Sequence, residues 1–134
     1  MVRNVIYLLL GTIVLAGCGV SVQMTDCDLS GEPKQVLRHV VLFKFKDGTS
    51  GQQIRDIENA FCALPGKINT ISDFEWGTDV SVENLQQGFS HCFVLTFRNE
   101  AGREIYLPHP AHREFGQMLG PHLDKVLVID YWTR

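Results

Sequence analysis

No strongly basic stretch interrupts this sequence. Lysine and arginine number 12 against 15 aspartates and glutamates, for a net charge of −3. That balance, with no basic block, leaves nucleic acid and a charge-held anionic membrane surface without support as partners. Internal repeats and low-complexity segments are missing as well. The one long uncharged apolar run, Val5 to Ala16, is too short to count on as a stable membrane span. Cysteine and histidine are scarce, at four and five residues. Their positions therefore carry weight.

The first cysteine ends the N-terminal run "MVRNVIYLLLGTIVLAGC". One positive charge at Arg3, an apolar stretch and small residues before Cys18 make a secretory signal. Leu15-Ala16-Gly17-Cys18 resembles the bacterial lipobox, in which the cysteine is acylated and becomes the new N-terminus. Residues 1–17 are then a signal peptide, and the mature chain is an extracytoplasmic, lipid-anchored protein. Loss of Arg3 takes its charge from −3 to −4. Gly19 is not the aspartate of inner-membrane retention signals, which points to the outer membrane where the source has one. Residues 18–35 lack any helical or strand period and read as a flexible tether, with a reach of roughly 20–25 Å.

Residues 36–134 carry the folded domain. "QVLRHVVLFKFKD" reads as a strand with His39, Val41, Phe43 and Phe45 on one face and Val40, Leu42 and Lys44 on the other. Asp47-Gly48 turns the chain. Ser50 and Gln53 have capping-box spacing, Ile54, Ile57, Phe61 and Leu64 form a helical stripe, and Pro65-Gly66 is the expected stop. "KINTISDFEWGTDV" gives a second strand with Phe74 and Trp76 on one face. "SVENLQQG" is a polar loop with room for a short helical turn. "FSHCFVLTF" is the third strand, His91, Phe93, Leu95 and Phe97 opposing Cys92, Val94 and Thr96. Asn99 caps a helix through "EAGREIYL", a second helical piece runs from Pro110 to about Leu119, and "KVLVIDYW" is the fourth strand. This βαββαβ order predicts an α+β fold, an antiparallel sheet with helices on one face. The other face would be bare yet apolar, which calls for a partner, most simply a second copy of the chain.

The stretch "YLPHPAHREF" holds two histidines three residues apart. Pro110 suits the first helical position, which puts His109 at the N-cap and His112 in the first turn. Free N–H groups and the positive dipole end there favour a neutral imidazole, able to act as a base beside the phenol of Tyr106. A metal is the weaker reading of His109 and His112, because the pattern lacks the HExxH frame and Glu114 should point elsewhere. No metal and no cofactor are expected. Cys27, Cys62 and Cys92 occupy a compartment that permits disulfides, but Cys62 on a helix and Cys92 on the helix-free face should not meet.

In order, "LRHVVLFKFKD", "FEWGTDVS", "GFSHCFVLTF", "YLPHPAHREF" and "VLVIDYW" resemble the stress-responsive dimeric α/β-barrel (Dabb) family. The resemblance spans about Val36 to Trp132 and implies a ferredoxin-like protomer whose four-stranded sheet pairs with a second into a barrel. A plant member of the family closes a linear polyketide by aldol condensation. Its catalytic histidine and partnering tyrosine fall on His112 and Tyr106, and two further pocket histidines fall on His39 and His91. Phe61 stands where that member has another pocket tyrosine. His39, His91, Phe61, Phe43 and Phe93 are thus the expected lining of one ligand pocket. A module binding a small, mostly apolar ligand, with a stress-related role, demands the least chemistry. A lyase or cyclase acting on a carbonyl compound through His112 and Tyr106 is the alternative. An interaction protein using the barrel exterior has no sequence feature in its favour.

Overall fold

A computed structural model describes residues 35–134. The apolar leader, Cys18, Cys27 and nearly all of the tether lie outside the described residues. In β1 (Leu37–Phe45) alternate side chains Leu37, His39, Val41 and Phe43 are buried, the period of two that a half-covered strand imposes. Gly48 turns the chain with a φ of +85°, a conformation glycine adopts without steric cost. Helix α1 (Gly51–Cys62) opens on the capping box: Ser50 Oγ accepts from the Gln53 N–H, and the Gln53 side chain accepts from the Ser50 N–H. Ile57 and Phe61 bury its inner face.

Pro65-Gly66 is not the stop it was expected to be. The chain leaves α1 at Ala63 and adds one more turn, α2 (Leu64–Lys67), with Pro65 in its first positions. Proline is tolerated there because the N–H it lacks has no intrahelical partner in a first turn.

Two strands follow, β2 (Ile71–Thr78) and β3 (His91–Phe97). Their connection forms no helical turn; Asn84, Gln87 and Gly88 instead take positive φ values of 56°, 53° and 83°. At Gly88 a Cβ would lie 2.7 Å from Cε of Lys44, so the site is both left-handed and crowded. Helix α3 (Glu100–Tyr106) starts with Asn99 Oδ1 accepting from the Gly102 N–H at 2.9 Å. Helix α4 (Pro110–Leu119) and a 3-10 turn (Gly120–His122) lead into β4 (Leu123–Trp132), which begins two residues before Lys125.

The sheet is antiparallel in the order β2-β3-β1-β4. Each crossover therefore skips a strand, giving two interleaved split βαβ units and the expected α+β, ferredoxin-like fold. Helices cover one face. Beneath them sits an aromatic core in which Phe61 and Phe93 stack at 4.1 Å and Phe43 lies 5.2 Å from Phe93. The opposite face carries Val40, Leu42, Cys92 and Val94, all only half-buried. Register extends this strip onto β4, where Ile129 pairs with Val40 and Leu127 with Leu42.

The helices lie over β1, β2 and β3 and stop short of β4. Val126 and Val128, which point to the helix side, consequently remain 49% and 48% exposed. Among the described residues, Cys62 on α1 and Cys92 on the helix-free face are free thiols. Burial pushes both thiols up, helped by the nearby carboxylates of Glu58 and Glu75 respectively. Among the described residues no helix is long and apolar enough to cross a membrane.

Candidate functional site

The strip that the helices leave open over β4 becomes the wall of a cavity of about 460 Å³. Its floor is Val41, Phe43 and Phe61, and its far side is α4 with Phe115 and Leu119. Gly116 and Gly120 face the same space, and nothing lies within 4 Å of where a Cβ would stand on either. Their missing side chains are room. Polar groups gather in one region: His39, Tyr106, His112 and Asp130.

Local sequence explains how Tyr106 and His112 meet. Tyr106 ends α3, and its carbonyl accepts from the His109 N–H at 3.1 Å, closing a tight turn through Leu107 and Pro108. His109 then caps α4, its Nδ1 accepting from the Ala111 N–H at 3.2 Å, with Pro110 first in the helix. His112 follows in that first turn and packs back on Tyr106, ring centroids 4.3 Å apart. Its Nδ1 lies 2.9 Å from the Leu107 carbonyl. A carbonyl only accepts, so Nδ1 donates, and the neutral ring keeps its lone pair on Nε2. Tyr106 is 1% exposed, and burial pushes its phenol well above the ordinary range. At neutral pH it is a hydrogen-bond donor, not a base.

His39 completes the group from β1. Its ring stands edge-on to Tyr106 at 5.7 Å, and its Nδ1 donates to Asp130 Oδ1 at 2.6 Å. The other carboxylate oxygen of Asp130 accepts from Arg103 on α3 at 2.8 Å. A carboxylate held this way fixes the ring's orientation and its tautomer. Neither Asp130 nor Arg103 was singled out from sequence. The available signal was one charged residue inside the apolar run "VLVIDYW".

Two residues expected in this pocket are elsewhere. His91 faces the helices as strand parity requires, but it lines a separate cavity and bonds to Glu58 and Ser90. Phe93 lies behind Phe43 and Phe61 in the core instead of on the cavity wall. Four residues of β-strand, roughly 13 Å, separate the rung of His39 from that of His91. A more polar hollow of about 530 Å³ beside α3 has Arg98 as its one titratable lining residue. Among the described residues no three His, Cys, Asp or Glu side chains converge to hold a metal ion.

Comparison with known proteins follows the same outline. Residues 37–133 match the family model of the stress responsive A/B barrel domain (Dabb). A stress-response A/B barrel domain-containing protein of Arabidopsis thaliana is 44% identical over 100 residues, 75% of this chain and 92% of the relative. Olivetolic acid cyclase of Cannabis sativa is 31% identical over 98 residues, covering 73% of this chain and 97% of that protein. The solved hydroxynitrile lyase from Passiflora edulis superposes with a TM-score of 0.71 at 28% identity, over 76% and 96% of the two chains. A dimeric protein of unknown function and ferredoxin-like fold from Bacteroides fragilis gives a TM-score of 0.61 at 25% identity, over 73% and 96%.

Proposed function

The chain belongs to the stress-responsive A/B barrel (Dabb) family, and from that premise we propose that its α4–β4 cavity binds a small, mostly apolar ligand bearing an oxygen function. The carrying observation is the division of the cavity wall. Valines, phenylalanines and two glycines make an apolar space of about 460 Å³, while one imidazole with a free Nε2, one phenol and one carboxylate-held imidazole converge on a single region. An apolar cleft with a few convergent polar groups is the usual form of a small-molecule site. Filling it tests the reading. Gly116→Leu projects a side chain into empty space, so it should abolish binding of an aryl ketone or aldehyde in calorimetric titration while stability holds or rises by about 0.5–1 kcal/mol. Undiminished binding would remove the cavity from consideration.

One observation favours a second, catalytic reading. The Leu107 carbonyl fixes the His112 tautomer so that Nε2 can take a proton, and Tyr106 beside it can donate to a substrate oxygen. Olivetolic acid cyclase and hydroxynitrile lyase are relatives by sequence and by fold. A lyase or cyclase acting on a carbonyl compound or its hydroxynitrile fits this pair. Release of aldehyde from an aromatic hydroxynitrile should fall by about 10²-fold or more in His112→Ala and less in Tyr106→Phe. No turnover in the unaltered protein leaves the site a binding pocket.

The assembly and the anchor belong to the same proposal. The half-buried strip of Val40, Leu42, Cys92 and Val94, continued by Leu127 and Ile129, supports a homodimer packed sheet against sheet. Val94→Asp would bury an unpaired charge there, so sedimentation should show monomers or the protein should be insoluble. A soluble dimer of that variant would place the interface elsewhere. Acylation at Cys18 is read from the lipobox alone. Mass spectrometry of the membrane-extracted protein tests it, and an unmodified Cys18 rejects it.

A further inference from the structure

His91, absent from the cavity where it was expected, belongs to a hydrogen-bonded line of its own. Ser90 Oγ lies 2.8 Å from Nδ1 of His91, and Nε2 of His91 lies 3.0 Å from Oε1 of Glu58 on α1. A carboxylate only accepts, so Nε2 carries the proton and donates to Glu58. In the neutral ring Nδ1 is then the lone-pair nitrogen, and the Ser90 hydroxyl donates to it. Glu58 thus selects the tautomer that can accept a proton from serine.

The surroundings hold this line in place. His91 is 8% exposed, with the Phe45 ring edge-on at 5.1 Å. The backbone of Ser90 is fixed on both sides, its N–H donating to Phe43 O at 3.0 Å and its carbonyl accepting from Asp79 N–H at 2.9 Å. Ser90 and His91 border a cavity of about 230 Å³ that Leu42, Phe89, Thr78 and Gln86 also line. Phe89 suits a short apolar chain. Thr78 and Gln86 bring neutral donors for a developing oxyanion. Asp79, the carboxylate on that wall, is engaged by the Ser81 N–H at 3.1 Å.

We propose that Ser90 is an activated nucleophile at a second site, taking the acyl group of a small, uncharged ester. An aligned hydroxyl, imidazole and carboxylate is the arrangement that turns serine into a nucleophile on unrelated folds, and here the two ring nitrogens exchange places, Nδ1 facing the serine and Nε2 the carboxylate. Ser90 Oγ forms a bond to the ester carbonyl carbon while its proton passes to Nδ1 of His91, and Glu58 stabilises the imidazolium. The bond to the alkoxy oxygen breaks, and the departing alcohol takes the proton from Nδ1. Water then attacks the acyl-serine by the same proton route, giving a carboxylic acid and restoring the hydroxyl. Ester and water become acid and alcohol, with no further reactant. This site uses neither His112 nor Tyr106.

The competing role for the line is structural: Ser90, His91 and Glu58 would merely pin the connection after β2 to α1. Reactivity separates the two. The cavity adjoins Leu42 and Cys92 at the edge of the bare sheet face, so the full chain in its native assembly is used. Treated with an alkyl fluorophosphonate, it should take up one equivalent, and peptide mapping should place it on Ser90. Glu58→Gln should slow the labelling by at least about tenfold while leaving the protein folded, as expected when the group orienting the imidazole is neutralised. Release of p-nitrophenol from p-nitrophenyl acetate should fall in parallel. Mapping on the unaltered protein gives the answer even if Ser90→Ala does not fold. No adduct, an adduct on another residue, or an unchanged rate in Glu58→Gln would each overturn the proposal.

Discussion

His39 and His91 face the same side of one sheet, each bonded to a carboxylate, yet they keep different company. His39 is tied to Asp130, which also holds Arg103, and opens with Tyr106 and His112 onto the larger cavity. His91 is tied to Glu58 and Ser90 and borders the smaller one. Parity assigns a strand residue to a face, and register then assigns its neighbours. His39 stands on a rung between Leu95 and Asp130, whereas His91 is on the rung of Phe43. The aromatic layer of Phe43, Phe61 and Phe93 fills the interval. Two imidazole–carboxylate pairs are kept apart by a wall of phenyl rings, and each can serve its own chemistry.

Removing that wall should have the largest effect. Phe93 is fully buried and touches ring systems from both ends. Phe93→Ala should lower the unfolding free energy by about 3–5 kcal/mol in urea titration. A loss below about 1 kcal/mol would mean that the two ends share no common core.

Neutralising the carboxylates ranks next and sharpens the contrast. Asp130 accepts from two side chains on different elements, His39 and Arg103, whereas among the described residues Glu58 accepts from His91 alone. Asp130→Asn should therefore cost more than Glu58→Gln, about 1–3 kcal/mol for the former. Equal losses would say that Arg103 contributes nothing beyond a solvated charge.

A pH effect separates the ends without altering either carboxylate. The buried Tyr106 phenol titrates above its unfolded value of about 10. The folded state then retains a proton that the unfolded chain gives up, so this contribution is fully present below about pH 10 and is lost as pH rises beyond it. Tyr106→Phe should flatten the alkaline limb of the stability profile. An unchanged limb would assign the decline to other groups.

The smallest expected change concerns Cys62, one turn along α1 from Glu58. Burial chiefly, and that carboxylate secondarily, hold its thiol above the ordinary value. Glu58→Gln should speed its alkylation by iodoacetamide only modestly, while Cys92, influenced by Glu75 instead, should react as before.

The sequence was most readable where structure is local. Alternation in β1 and β3 was enough to sort both faces, and Pro110 was enough to begin α4 and seat His112 in its first turn. The tight turn from Tyr106 to His109 then brought the phenol and imidazole together over six residues. What could not be read depends on pairing between distant segments. Asp130 meets His39 across 91 residues, and only the β1–β4 register puts them opposite each other. His91 lines the smaller cavity and not the larger for the same reason, since alternation says nothing about how far along a strand a residue sits. Pro65-Gly66 misled because a proline that forbids a helix interior is at ease in a first turn.

The strand order has a consequence for how the chain comes together. β1 is made first but is paired on both sides by strands made much later: Leu37 meets Phe97 on one flank and Trp132 on the other. Neither partner exists as a hairpin neighbour, so each closure spans a long stretch of chain before any ladder bond rewards it. Such high contact order slows folding and leaves an apolar strand waiting with both edges unpaired. A truncation before β4 would leave β1 with one edge open permanently, a template for pairing with another molecule instead of its own last strand.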